Sequence, residues 1–136
     1  MLKKRIKYVD YDGEQREEDF YFNLNKAEII EMELSTAGGL KQTIEKITDS
    51  KDMPQLIALF KDLIVKSYGE KSPDGKRFIK SKDLSDAFIQ TEAYSELFME
   101  LATDDNAASE FVNGIIPSDL AADVAKEAAE LSVVDR

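Results

Sequence analysis

Residues 52–69 read DMPQLIALFKDLIVKSYG. Leu56, Leu59, Phe60, Leu63, Ile64 and Tyr68 recur three or four apart, the spacing of one continuous apolar stripe on an α-helix. Pro54 sits near the start, where a missing N–H costs nothing. Asp49 and Asp52 offer caps and negative charge at the positive end of the helix dipole. Gly69 stands where a left-handed C-terminal cap is expected. Ile57 and Val65 widen the stripe, so this helix should touch neighbours on more than one side. A core helix is the reading this pattern supports, rather than a ligand-binding one.

Outward from that helix the composition limits the possibilities. The chain has 136 residues, 43% apolar and 34% charged, which suits one domain with a core. No apolar run reaches the length of a membrane span. The basic start, MLKKRIKYVD, lacks the apolar block of a signal peptide, so the expected location is cytoplasmic. There is no cysteine and no histidine. Disulfides, thiolate nucleophiles, the usual zinc sites and Ser–His or Cys–His pairs are thereby removed. No catalytic, cofactor or metal residues are assigned, and a non-enzyme is expected. An adjacent pair such as Asp104 and Asp105 makes a poor catalytic dyad, because neighbours on a helix do not face each other.

The net charge of −10 is uneven. Residues 1–81 hold 15 acidic and 15 basic side chains, whereas residues 82–136 hold 13 acidic and 3 basic. Such a C-terminal surface repels nucleic acid and suits a basic partner, or is simply a solvated helical face.

In chain order, Lys3 to Tyr11 alternates as a strand, with Ile6 and Tyr8 against Arg5, Lys7 and Val9. Asp12-Gly13 signals a tight turn. Glu17 to Phe22 returns with Phe20 and Phe22 on one face and Tyr21 on the other. A lone hairpin is marginal in water, so this one must lie on helices or pair with a further strand. Its Lys and Glu residues would protect an exposed edge; the alternative is an edge kept open for a second chain. Asn23 or Asn25 caps a short helix from Lys26 to Leu34, with Glu28 completing a capping box. Gly38-Gly39 reads as a helix–helix turn. Leu40, Ile44 and Ile47 face one side of another short helix.

After the central helix, Ser72-Pro73-Asp74-Gly75 is a turn sequence, and Phe78 anchors either a small hairpin or a loop. The surrounding cations Lys71, Lys76, Arg77, Lys80 and Lys82 read as a solvated loop, or as a seat for a phosphate or an acidic partner. Ser81 and Thr91 cap two helices carrying Leu84 and Phe88, then Tyr94, Leu97, Phe98 and Leu101. Asp104 or Asp105 starts another with Ala107, Ala108, Phe111 and Val112 inward, and Asn113-Gly114 should end it. A last Ala-rich helix begins at Ser118 and offers little apolar area, as befits a mobile tail. The fold expected is α+β and mostly α, an N-terminal β-hairpin (1–22) packed on five to seven short helices. The globular domain is placed at 1–117, with an acidic Ala-rich helix or tail at 118–136.

The blocks KYVDYDG, DFYFNLNKAEIIEMELS, GGL, LFKDLIVKSYGEKSPDGKRFIKS and TEAYSELFMELATDDNAASEFVNGIIP together resemble a family of small proteins of tailed bacteriophages and prophages of Gram-positive bacteria, the tail assembly chaperones. The resemblance spans roughly residues 4–117. It implies a non-enzymatic protein of the host cytoplasm that binds the tape-measure protein, keeps it soluble before the tail tube polymerises, and is missing from the finished virion. It also implies a frameshifted longer form acting beside the short one, with a homo-oligomer open. No nucleic acid, membrane or cofactor is implied, and no catalytic residues carry over. The partner-contact candidates, should any of them be exposed, are Tyr94, Phe98, Met99 and Phe111, each of which suits the core better. Competing readings are a structural virion or head–tail joining protein, which would use the hairpin for sheet addition, and an acidic nucleic-acid mimic.

Overall fold

The computed structural model describes residues 1–35 and 53–117. The expected Gly38-Gly39 turn, the helix with Leu40, Ile44 and Ile47, and the helix from Ser118 lie outside the described residues. Within them the order is β1 (Leu2–Val9), β2 (Gln15–Phe22), α1 (Lys26–Ser35), α2 (Met53–Ser67), β3 (Tyr68–Lys71), β4 (Phe78–Ile79), α3 (Lys82–Ile89), α4 (Glu92–Thr103) and α5 (Asp105–Ile115). The protein is α+β and mostly α, with the N-terminal hairpin and five helices among the described residues.

The hairpin forms because its turn is chemically specified. Asp10 N–H donates to the Glu14 carbonyl (2.9 Å), and Gly13 N–H donates to the Asp10 carbonyl (3.0 Å). Gly13 adopts φ 84°, which a side chain would resist. The Asp10 carboxylate accepts from the N–H groups of Asp12 and Glu14 and from Arg16 Nε. Beyond the turn the strands pair in register from Val9↔Gln15 to Leu2↔Phe22. Even-numbered residues of β1 point toward the core, where Ile6 is buried, and odd-numbered ones point to solvent.

The hairpin is not left alone. β3 adds to β2 through Tyr21↔Gly69 and Phe22↔Tyr68, and β4 adds to β3, giving an antiparallel sheet in the order β1-β2-β3-β4. The second hairpin is built by the Ser72 turn: Gly75 N–H donates to the Ser72 carbonyl, Ser72 Oγ donates to Asp74, and Arg77 N–H donates back to Ser72 Oγ. Phe78 therefore lies in a strand rather than a loop.

Helices cover one face of the sheet. Phe22 is wholly buried and touches rings from three other elements, Tyr68 (5.7 Å between centroids), Phe88 (5.8 Å) and Phe111 (5.3 Å). Tyr68 and Phe88 stack at 4.3 Å with planes 10° apart. Ile64, Leu97, Leu101 and Ile115 close the core around them. Helix starts follow the sequence. Asn25 and Glu28 form a reciprocal capping box, Ser81 and Thr91 accept from Leu84 and Tyr94 N–H, and Asp104 caps α5. Ser85 Oγ reaches the Val65 carbonyl and ties α3 to α2.

Two glycines act differently from the expectation. Gly69 is not a left-handed cap, because α2 stops at Ser67 and runs straight into β3. A Cβ at Gly69 would lie 2.7 Å from the Ile79 carbonyl oxygen and 2.7 Å from the Phe78 ring, so its role is close approach of neighbouring strands. Gly114 does not end α5, which continues to Ile115. There a Cβ would meet the Leu2 side chain at 2.9 Å, so the bare backbone lets α5 sit on β1.

Gly69→Ala should therefore destabilise the protein by about 1–3 kcal/mol, as overpacking does, read from the urea midpoint. A change below a few tenths would show that the strands yield freely. The turn should also respond to acid. The Asp10 carboxyl is held below its usual range first by the Arg16 hydrogen bond and then by the Glu14 N–H. Its contribution is present above the unfolded-state pKa and is lost as pH falls through the lowered folded value. The protection of the Glu14 amide, the slowing of its exchange relative to an unstructured chain at the same pH, should fall through that acid window in the wild type, and Asp10→Asn should remove the pH-dependent part.

Candidate partner-binding surfaces

The aromatic candidates separate by burial. Phe111 is 3% exposed and packs on Phe22, so its ring is part of the core. Tyr94 and Phe98 lie one turn apart on α4 with centroids at 6.0 Å, half-buried against that core. Burial also pushes the Tyr94 hydroxyl pKa upward. Met99 is 55% exposed and points away from them. The structure thus joins Tyr94 and Phe98 to the core cluster and leaves Met99 at the surface.

Other exposed apolar side chains were not legible as such. Met53 and Ile57 on the first turns of α2 are 52% and 42% exposed, and Ile30 on α1 is 55% exposed. Beside them Ile29, Leu56, Leu59 and Phe60 are only half-buried. The apolar girth of α2, with Ile57 and Val65 outside the main stripe, was the signal that this helix carries more apolar surface than one neighbour covers. Only its C-terminal half, through Leu63, Ile64 and Ser67, is sealed. The buried Ser67 hydroxyl is satisfied by the Leu63 and Ile64 carbonyls, as interior polar groups must be.

The acidic excess of the C-terminal part is partly committed to structure. Asp86 pairs with Lys82, Glu100 with Lys4 at 2.7 Å, and Asp104 is spent as a cap. Glu92 hydrogen-bonds the Tyr11 hydroxyl and raises its pKa. Asp83, Glu96 and Glu110 remain solvent-facing. The basic cluster after the central helix is dispersed as well. Lys71 lies 5.0 Å from the centre of the Tyr21 ring, and Lys80 pairs with Glu28 at 2.6 Å, which fastens β4 to the start of α1.

The solvent face of the hairpin carries a ladder of opposite charges. Arg5 bridges Glu17 (2.8 Å) and Asp19 (3.2 Å), and Lys3 stands 3.8 Å from Asp19. On the core face, the Tyr8 hydroxyl donates to Glu18, which, with partial burial, pushes its pKa up to about 12. Cross-strand pairs of this kind are worth a fraction of a kcal/mol each, about 0.2–1, and chiefly set register.

No curated protein and no solved structure matches the chain. A family model described as phage tail assembly chaperone matches residues 1–135. With nearly the whole chain covered, the protein belongs to the phage tail assembly chaperone family.

Proposed function

We propose that this chaperone binds the tape-measure protein and keeps it soluble until the tail tube polymerises. A chaperone role in tail assembly follows from the family. The observation that supports a solubilising role is the exposure of large apolar side chains on two helices, Met53 and Ile57 on the first turns of α2 and Ile30 on α1. A tape-measure protein, long and helix-rich, presents apolar stripes in water, and a helix laid on such a surface buries them. Each side chain fully covered contributes on the order of 1.5–3 kcal/mol. In this reading the protein acts in the host cytoplasm, beside a frameshifted longer form, and leaves before the virion is complete.

Co-expression with the tape-measure protein of the same genome tests the reading. The tape-measure protein should move to the soluble fraction and co-elute, and the chaperone should be missing from purified virions. Ile57→Asp with Ile30→Asp, both exposed, should leave the fold intact by circular dichroism yet lower the soluble yield at least several-fold. Insolubility with both the short and the extended form would overturn the proposal, and recovery of the protein from virions would favour the structural reading.

A further inference from the structure

The four-stranded sheet has two edges of unequal character. β4, at one end, is two residues long, whereas β1, at the other, is an unbroken eight-residue strand. Among the described residues no strand pairs with the outer side of β1. The hairpin geometry says which groups lie there. Asp10 directs its N–H and carbonyl at β2. Alternation then turns those of Tyr8, Ile6, Lys4 and Leu2 toward β2, and those of Val9, Lys7, Arg5 and Lys3 outward. The same odd-numbered residues carry their side chains on the solvent face. Open backbone and a row of cations therefore coincide on Lys3, Arg5 and Lys7, with half-exposed Val9 at the end of the row.

Across from that row β2 supplies Glu17 and Asp19, in the register Lys7↔Glu17 and Arg5↔Asp19. The charge ladder is thus complete on one side of β1 and unfinished on the other. Lys3 and Arg5 keep 61% and 58% of their side chains exposed. Lys7 stands opposite Glu17 and, after Arg5, helps hold that carboxyl below its usual range. A second copy is a poor occupant: antiparallel pairing of β1 with itself about Arg5 sets Arg5 against Arg5 and Lys3 against Lys7, and like charges directly opposite are destabilising. The cations that keep copies of this chain apart would admit an acidic strand.

We propose that the outer edge of β1 is a docking site for an extended acidic segment of another protein, which adds to the sheet as a fifth strand. Antiparallel addition is the more stable arrangement. The segment then reads, from its N-terminus, an apolar residue opposite Val9 followed by acidic residues at alternate positions opposite Lys7, Arg5 and Lys3. Backbone hydrogen bonds supply affinity and the alternate side chains supply selection. This edge is distinct from the apolar surface of α1 and α2, and its use does not depend on the tape-measure reading.

The test is amide exchange and chemical-shift mapping of the full chain with the peptide Val-Thr-Glu-Thr-Glu-Thr-Glu. Without peptide, the amides of Lys3, Arg5, Lys7 and Val9 should exchange fast and those of Lys4, Ile6 and Tyr8 slowly. With peptide, the first set should become protected saturably, and raising salt from ~50 mM to ~0.5 M should weaken binding at least several-fold. The same peptide with Lys in place of Glu should not bind. Lys7→Pro removes an outward N–H only, so it should keep the fold and lose at least about tenfold in affinity. If that variant unfolds, Lys7→Glu leaves the backbone intact and should lose binding to the acidic peptide. Unprotected amides at millimolar peptide, equal protection by the Lys peptide, or protection that instead tracks self-association would each overturn the proposal.

Discussion

Phe22 is the point through which the parts of this protein are joined. Its ring ends β2, lies against Tyr68 at the start of β3, and meets Phe88 and Phe111 from two helices. A hairpin of two strands is marginal in water, and short helices are marginal too. Neither half has an independent core, so both depend on the rings between them. Edge-to-face pairs of this kind add about 0.5–1.5 kcal/mol each beyond the area they bury. The backbone reinforces the same place: Asn23 N–H donates to the Ser67 carbonyl and Leu24 N–H to that of Ile115. The exit of β2 is thereby pinned to the end of α2 and the end of α5.

Much of this was legible in the residues. The period-2 pattern around Asp12-Gly13 located the hairpin and its two faces. The caps Asn25, Ser81, Thr91 and Asp104 marked helix starts, because a side-chain oxygen before an apolar periodic run has few other uses. Of the stripe read from Leu56 to Tyr68, only Leu63, Ile64 and Tyr68 are buried, so it located the core side of α2 in its C-terminal half. What escaped the reading was long-range. Gly69 and Gly114 looked like stop signals because glycine commonly ends helices. Their actual role is set by Phe78, Ile79 and Leu2, neighbours that no local window contains. The pairing of β3 with β2 escaped for the same reason, since it joins residues 46 and 48 positions apart, Phe22 with Tyr68 and Tyr21 with Gly69.

The candidate surface was the least legible part. Aromatic residues on α4 drew attention by their size, yet Tyr94 lies against Phe88 and Phe98 against Tyr94, which turns that side of the helix inward, and of the four candidates only Met99 is left outside. Apolar residues are the material of both cores and interfaces, and a stripe does not say which. The exposed set on α1 and α2 is visible only once it is known that α2 is sealed at its C-terminal half and half-open before it. The family supplies the chaperone role that no single side chain declares.

The direct passage of α2 into β3 has a consequence for synthesis. β1 and β2 leave the ribosome first and can close on their own turn, but the strand that completes them begins only at Tyr68. At about 5–20 residues per second, the nascent hairpin waits roughly 2–9 s for that strand, and longer for Phe88 and Phe111. During that interval Phe20 and Phe22 have no ring partners beyond β1. The cations and carboxylates on the opposite face then serve a second purpose. Lys3, Arg5 and Lys7 set like charges against a second copy of the open β1 edge, so the row that sets register in the finished protein also disfavours pairing of two unfinished hairpins.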